Sequence, residues 1–343
     1  MKKLDLKKCD VIKVFMMLCV MFYHCICLWS GETWFNQPPA NESKVLEVLC
    51  AFLNTFHIYV FAFVSGYLFR YLKFEKKRYN SLLKGSVHRA KRLLIPYVIV
   101  SIVWVIPFSV YYFKTSFIDV LKKFGLAMAP NQLWFLVMIF VVFVVFYALS
   151  DFFEKYNAFV GFVVAVGIYC IATIASLVLP NVFQVLTALK YLFYYFLGYS
   201  FRKYKENIFY KVPWFAYLLV HISLFALYFF ITSEKEGTFF KLVNISIYPI
   251  ICTFGVLNVV VGLSKFNYEK LQQTAFFKIL SKHNFVMYML HQQLIYITIS
   301  LLNSKVNTPT LVLINFVFSF LVSLLMSMII SKIPVIKKAF GYK

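Results

Sequence analysis

Charge is scarce in this sequence, and negative charge is scarcest. Of 343 residues only 14% are charged, with 13 acidic against 35 basic. A soluble domain of this length would carry far more charge. With 62% hydrophobic and 20% aromatic residues, a polytopic membrane protein is the class that remains. Also lacking is any soluble segment on which the net charge of +22 could gather, which excludes nucleic-acid binding. No internal repeat, low-complexity tract or small-residue cleavage site is visible, so the first apolar segment is expected to be a retained span. Metal ligation is not expected either. His24-Cys25-Ile26-Cys27 are neighbours on one helix and do not converge on a point, so the seven cysteines read as buried, inert thiols.

What is present is a series of apolar runs, each about 20 residues long. They predict ten spans, near 11–30, 46–69, 93–113, 132–150, 158–179, 184–201, 212–232, 243–263, 284–302 and 309–331. The expected fold is an all-α membrane bundle forming one domain over 1–343. Basic residues cluster at the N-terminus (Lys2, Lys3, Lys7, Lys8), between Lys73 and Arg92, at Lys155, over Arg202 to Lys211 including Lys205, over Lys265 to Lys282, and at the end (Lys332 to Lys343). About 25 basic residues thus fall on one side and about 7 on the other, which predicts a multi-pass membrane protein with cytoplasmic termini. Outer loops are short, around Pro38-Pro39 and from Lys114 to Asn131.

Few polar residues interrupt the spans, and these carry the chemical argument. Asp10, Lys13, Met17 and His24 share one helical stripe, with His24 roughly 16 Å deeper than Lys13. An ionisable side chain at that depth is costly and faces the protein interior or a cavity. The second span ends in Ser65-Gly66-Tyr67, a small-residue notch suited to close helix packing, followed by Arg70. Arg89 and Arg92 share a face at the start of the third span. They fit lipid headgroups or, as forked donors, a phosphate. Trp134 opens the fourth span, and His291 with Gln292 and Gln293 forms a polar patch inside the ninth. His221 reads as a structural hydrogen-bonder.

Taken together these motifs resemble the acyltransferase 3 family of integral membrane acyltransferases. Lys13 and His24 match its basic residue, ten intervening residues and His. Phe-x-x-Ser65-Gly66-Tyr67, Arg89-x-x-Arg92 before Pro96, Leu133-Trp134-Phe135-Leu136 and Tyr288-x-x-His291 follow in the family's order. Phe56-His57-Ile58 is similar to the branch related to fucose 4-O-acetylases. The chain departs from its relatives in having Lys13 where many have Arg, and no Gly-rich stretch after it. It also has Tyr59 where that branch commonly has Pro, and no SGNH-type domain follows.

The resemblance implies O-acetylation, with cytosolic acetyl-CoA as donor substrate, no permanently bound cofactor, and a carbohydrate or lipid-linked glycan as acceptor amid membrane lipids. It implies His24 as general base with Lys13 and Asp10 in support. Arg70, Arg89, Arg92, Ser65, Trp134 and His291 are then candidate donor or substrate contacts. A sugar transporter or flippase, and a polysaccharide polymerase or ligase, are the competing classes. The former would show paired, broken short spans in matching halves, and the latter a large outer loop.

Overall fold

The computed structural model describes residues 4–32, 34–79, 81–128, 131–204, 207–232 and 237–342. Lys2, Lys3, Lys205 and Lys343 of the basic clusters lie outside the described residues. Helix α1 (Leu6–Ile26) runs into a 3-10 turn, Cys27–Trp29. Helices α2 (Lys44–Asn54) and α3 (Tyr59–Arg70) make one broken span, prolonged by a π turn over Tyr71–Glu75. The next span joins α4 (Leu82–Val100), a π turn (Ser101–Val105) and α5 (Ile106–Phe113). A short helix α6 (Phe117–Gly125) precedes α7 (Trp134–Lys155), α8 (Ala158–Ala175) and α9 (Val185–Lys203). There follow α10 (Asn207–Lys211), α11 (Trp214–Ile231), the pair α12 (Gly237–Ser246) and α13 (Tyr248–Ser264), α14 (Glu269–Gln273), α15 (Ala275–Leu302), α16 (Thr308–Lys332) and α17 (Pro334–Ala339). No strand occurs among the described residues.

Side-chain caps fix several helix starts. Asp5 accepts from the Lys8 amide at 2.8 Å, and Asn157, Thr274 and Asn307 do the same for α8, α15 and α16. Among the described residues, nine helical stretches are long and apolar enough to cross a membrane. The predicted sixth span, α9, is a 19-residue helix whose Lys190 and run of tyrosines thin its hydropathy. It lies in the core, with Tyr194, Tyr195 and Tyr199 fully buried. The third helix begins at Leu82, well before the predicted 93, because 82–92 mixes exposed Leu82, Leu83 and Val87 with basic residues and escapes a hydropathy reading. The predicted outer loop 114–131 likewise contains α6.

Helices α1 and α15 are the most enclosed spans, while α8, α11 and α16 turn apolar faces outward. Two glycines set the core spacing. A Cβ built on Gly66 would lie 1.9 Å from the Tyr195 carbonyl oxygen, and one on Gly198 would lie 1.8 Å from that of Phe63. Backbone touches backbone where α3 crosses α9, as small residues permit in membranes. Asn315, Ser319, Ser323 and Ser327, buried at four-residue spacing, form the inward face of α16: Asn315 and Ser327 bond to Thr298 and His283 of α15, and Asn315 and Ser319 also meet Cys25 of α1.

The basic segments gather at one end of the bundle. There the Tyr67 hydroxyl donates to the Leu4 carbonyl (2.8 Å), Arg202 clasps Glu75 (2.6 Å) and Tyr67 (2.7 Å), and Lys8 reaches the Ser264 carbonyl (2.5 Å). His283, Ser327 and Tyr342 hold the C-terminal turn at that same end.

Candidate active site

His24 lies near the far end of α1, and α1 packs along α15. Its Nδ1 is 2.8 Å from His291 Nε2. His291 Nδ1 in turn lies 2.7 Å from the Tyr288 carbonyl oxygen and 3.3 Å from that of Met287. A carbonyl only accepts, so in the neutral pair His291 carries its hydrogen on Nδ1 and accepts at Nε2. His24 must then donate from Nδ1, which leaves the Nε2 lone pair without a hydrogen-bond partner among the described residues. The second imidazole selects the tautomer of the first.

His24 lines a cavity of about 710 Å³ together with Tyr23, Trp34, His57, Trp134, Tyr288 and Gln292. The 30s loop, α6 and the start of α7 border this cavity, so it lies toward the end opposite the basic segments. Trp34 stacks 6.2 Å from the His24 ring and 5.0 Å from that of Tyr296. On α6, Val120 and Phe124 turn inward, while Phe117, Ile118 and Leu121 are exposed. Tyr97 pins α6 through a 2.5 Å bond to the Phe124 carbonyl. The start of α7 is clasped to α15: Gln132 binds Gln293 (2.6 Å) and the Met289 carbonyl (2.8 Å), and Tyr288 donates to the Gln132 carbonyl.

A second cavity of about 290 Å³ lies toward the basic end, lined by Lys13, Ser65, Tyr79, His88, Arg89 and Arg92, then by apolar Phe61, Leu68, Phe135 and Ile139. Ile58 and Tyr288 border both cavities. Lys13 is paired with Asp10 at 3.1 Å, with side chains 32% and 56% exposed. Arg89 lies 4.4 Å over the Phe143 ring and binds the Tyr79 hydroxyl at 3.2 Å. Arg92 has no carboxylate partner among the described residues. A cavity lined by cations and by apolar side chains suits a ligand with an anionic part and an apolar part.

The structure therefore divides the predicted residues. His24, Trp134 and, through its bond, His291 belong to the outer cavity. Lys13, Ser65, Arg89 and Arg92 belong to the inner one, with Asp10 on its rim beside Lys13. Arg70 joins neither: it is turned to Glu154 at 2.9 Å and lies over Phe74. Ser65 and Gly66 do separate jobs, one on the cavity wall and the other in helix packing. His221 is held structurally, 2.8 Å from Thr55 Oγ1 and stacked on Phe52. The His24-Cys25-Cys27 run diverges, with Cys25 facing Ser319 and Cys27 lying 3.9 Å from Cys50. Among the described residues no three His, Cys, Asp or Glu side chains could hold a metal.

The sequence places His57 toward the outer side of the second span and in a family motif, without assigning it to a site. Its place in the outer cavity depends on the break between α2 and α3. Gln132 was not singled out at all, and its partner Gln293 lies 161 residues away.

His24 thus lines the larger cavity, which shares Ile58 and Tyr288 with the basic one. A family model described as an acyltransferase domain matches residues 6–331. No curated protein and no solved structure matches the chain. With that match over nearly its whole length, the chain belongs to the acyltransferase 3 family and is a membrane acyltransferase.

Proposed function

We propose that the protein is an O-acetyltransferase of the bacterial cytoplasmic membrane. It moves an acetyl group from cytosolic acetyl-CoA to a hydroxyl of a cell-surface or lipid-linked carbohydrate. The observation that carries this reading is the free Nε2 of His24, tautomer-locked by His291, in a large cavity that shares two wall residues with a smaller, basic one.

Arg89 and Arg92 at the inner mouth match the phosphates of CoA, and the apolar stretch beyond them matches its slender arm. Lys13 lies roughly 16 Å along α1 from His24. That separation supports a role in binding CoA and argues against contact with the reacting carbonyl. The acceptor hydroxyl, in the outer cavity, gives its proton to His24 Nε2 as its oxygen attacks the thioester carbonyl. The tetrahedral intermediate collapses, the C–S bond breaks, and the proton passes to the departing thiolate. While His24 holds that proton, its Nδ1–H bond to His291 steadies the imidazolium.

The test is release of free CoA from acetyl-CoA by the purified, detergent-solubilised protein, with a carbohydrate acceptor supplied. His24→Ala is expected to cost about 10²–10⁴-fold in rate while leaving CoA binding intact. A well-folded wild type that neither binds nor turns over acetyl-CoA would overturn the reading.

A further inference from the structure

The outer cavity holds more acceptor groups than the removal of one proton requires. His57 lines it at 2% exposure, and its ring centroid is 4.5 Å from that of Tyr23. Its Nδ1 lies 2.6 Å from the Leu53 carbonyl oxygen. In the neutral ring the hydrogen therefore sits on Nδ1, and Nε2 offers a lone pair that no bond to a described residue occupies. Gln292 lines the same cavity at 4% exposure. Its Nε2 donates to the Tyr296 hydroxyl at 2.6 Å, and its Oε1 is buried without a partner.

These groups adjoin His24. Tyr23 lies between the two imidazoles, with ring centroids 5.3 Å from His24 and 4.5 Å from His57. Trp34 spans from His24 to Tyr296, the partner of Gln292. Each imidazole has its one hydrogen engaged by protein, and the Gln292 amide is oriented by its bond to Tyr296; each of the three leaves a lone pair over. Buried acceptors without donors are costly, so such a set fits a ligand that brings several hydrogens.

We propose that His57 and Gln292 are positioning residues that read further hydroxyls of the acceptor. The substrate presents a polyol: one hydroxyl goes to His24 Nε2, its ring neighbour donates its single hydrogen to His57 Nε2, and a third hydroxyl donates to Gln292 Oε1. This inference rests on the transferase reading and narrows its acceptor. A sugar ring offers such hydroxyls. A phosphate or carboxylate set against these three atoms would place lone pair against lone pair, the cationic Lys123 of the lining standing apart on α6, and a simple alcohol would leave the acceptors of His57 and Gln292 unmet.

The experiment measures acetyl transfer from acetyl-CoA to a methyl hexopyranoside and to its series of monodeoxy analogues. It compares the purified wild type with His57→Phe, His57→Gln and Gln292→Leu. In wild type, deleting the hydroxyl beside the acetylated position is expected to raise the acceptor KM about tenfold, with less change in kcat. His57→Phe keeps a ring against Tyr23 but should raise the KM for the parent sugar and treat parent and deoxy sugar alike. His57→Gln, whose amide can again accept, should restore part of the discrimination. The KM for acetyl-CoA should not move in any variant.

A wild type indifferent to every deoxy substitution overturns the proposal. So does a deoxy penalty that survives undiminished in both His57→Phe and Gln292→Leu. Should His57→Phe fail to fold, the wild-type series and Gln292→Leu decide. Absence of acetyl-CoA turnover would overturn the transferase reading along with this one, whereas transfer that ignores the neighbouring hydroxyl overturns this one alone.

Discussion

His24 and His291, 267 residues apart in the chain, share a hydrogen bond of 2.8 Å whose direction is set by the Tyr288 carbonyl behind it. A lone imidazole can place its hydrogen on either nitrogen, whereas this one has the choice made for it.

Replacing His291 by Phe should therefore lower kcat by roughly tenfold to a hundredfold. That corresponds to about 1–3 kcal/mol for losing one orienting hydrogen bond inside the protein. The KM for acetyl-CoA should stay near its wild-type value, because the inner cavity is untouched. Steady-state kinetics on the purified variant checks the split, and an unchanged kcat would remove His291 from the mechanism.

Arg92 and Arg70 should part company under the same kind of substitution. Arg92→Gln removes an unpaired cation from the inner mouth and should weaken acetyl-CoA binding about tenfold to a hundredfold, the range for hydrogen bonds to charged groups. Arg70→Gln breaks the pair with Glu154 and should lower Tm while leaving that affinity alone. Binding titrations alongside thermal unfolding in detergent separate the two effects.

Gly66→Ala and Gly198→Ala should both destabilise the fold, by at least about 1–3 kcal/mol, since each new methyl would sit within 2 Å of a backbone carbonyl oxygen. Ser65→Ala, one residue away, removes only a hydroxyl from the cavity wall. Comparing the folded fraction of the three variants after heating tests whether this crossing sets the helix spacing.

The side assigned to the basic segments can be read in cells. A cysteine at exposed Gln37 should react with a membrane-impermeant maleimide from outside, above the wild-type background. One at exposed Lys84 should react only after the membrane is opened. The reverse pattern would invert the protein.

Much of this architecture is legible in the linear chain, because a membrane span announces itself by length and hydropathy. The eleven residues before position 93 escape that reading because their apolar and basic residues alternate around the helix. Helix α9 sits at its margin because tyrosines fill a core that lipid does not reach. Lys13 and His24 are correctly placed on one helix, yet a shared stripe does not reveal that two different cavities open along it. His291 is visible as a buried polar residue that needs a partner, but which partner is a matter of tertiary packing. Arg70 shows the same limit from the other direction: nothing near it in sequence announces Glu154. The four-residue spacing of Asn315, Ser319, Ser323 and Ser327 is a signal that hydropathy alone passes over: polar residues at that period inside an apolar run mark the helix face turned away from lipid.

Ile58 and Tyr288 border both cavities. In the proposed transfer one cavity opens to each side of the membrane, and the electric field of an energised bilayer would then fall mainly across the side chains between them. A full charge carried through it would meet about 2.3 kcal/mol for every 100 mV. An acetyl group is neutral and crosses without doing electrical work, so the proposed transfer would run at the same speed whether the cell is polarised or not.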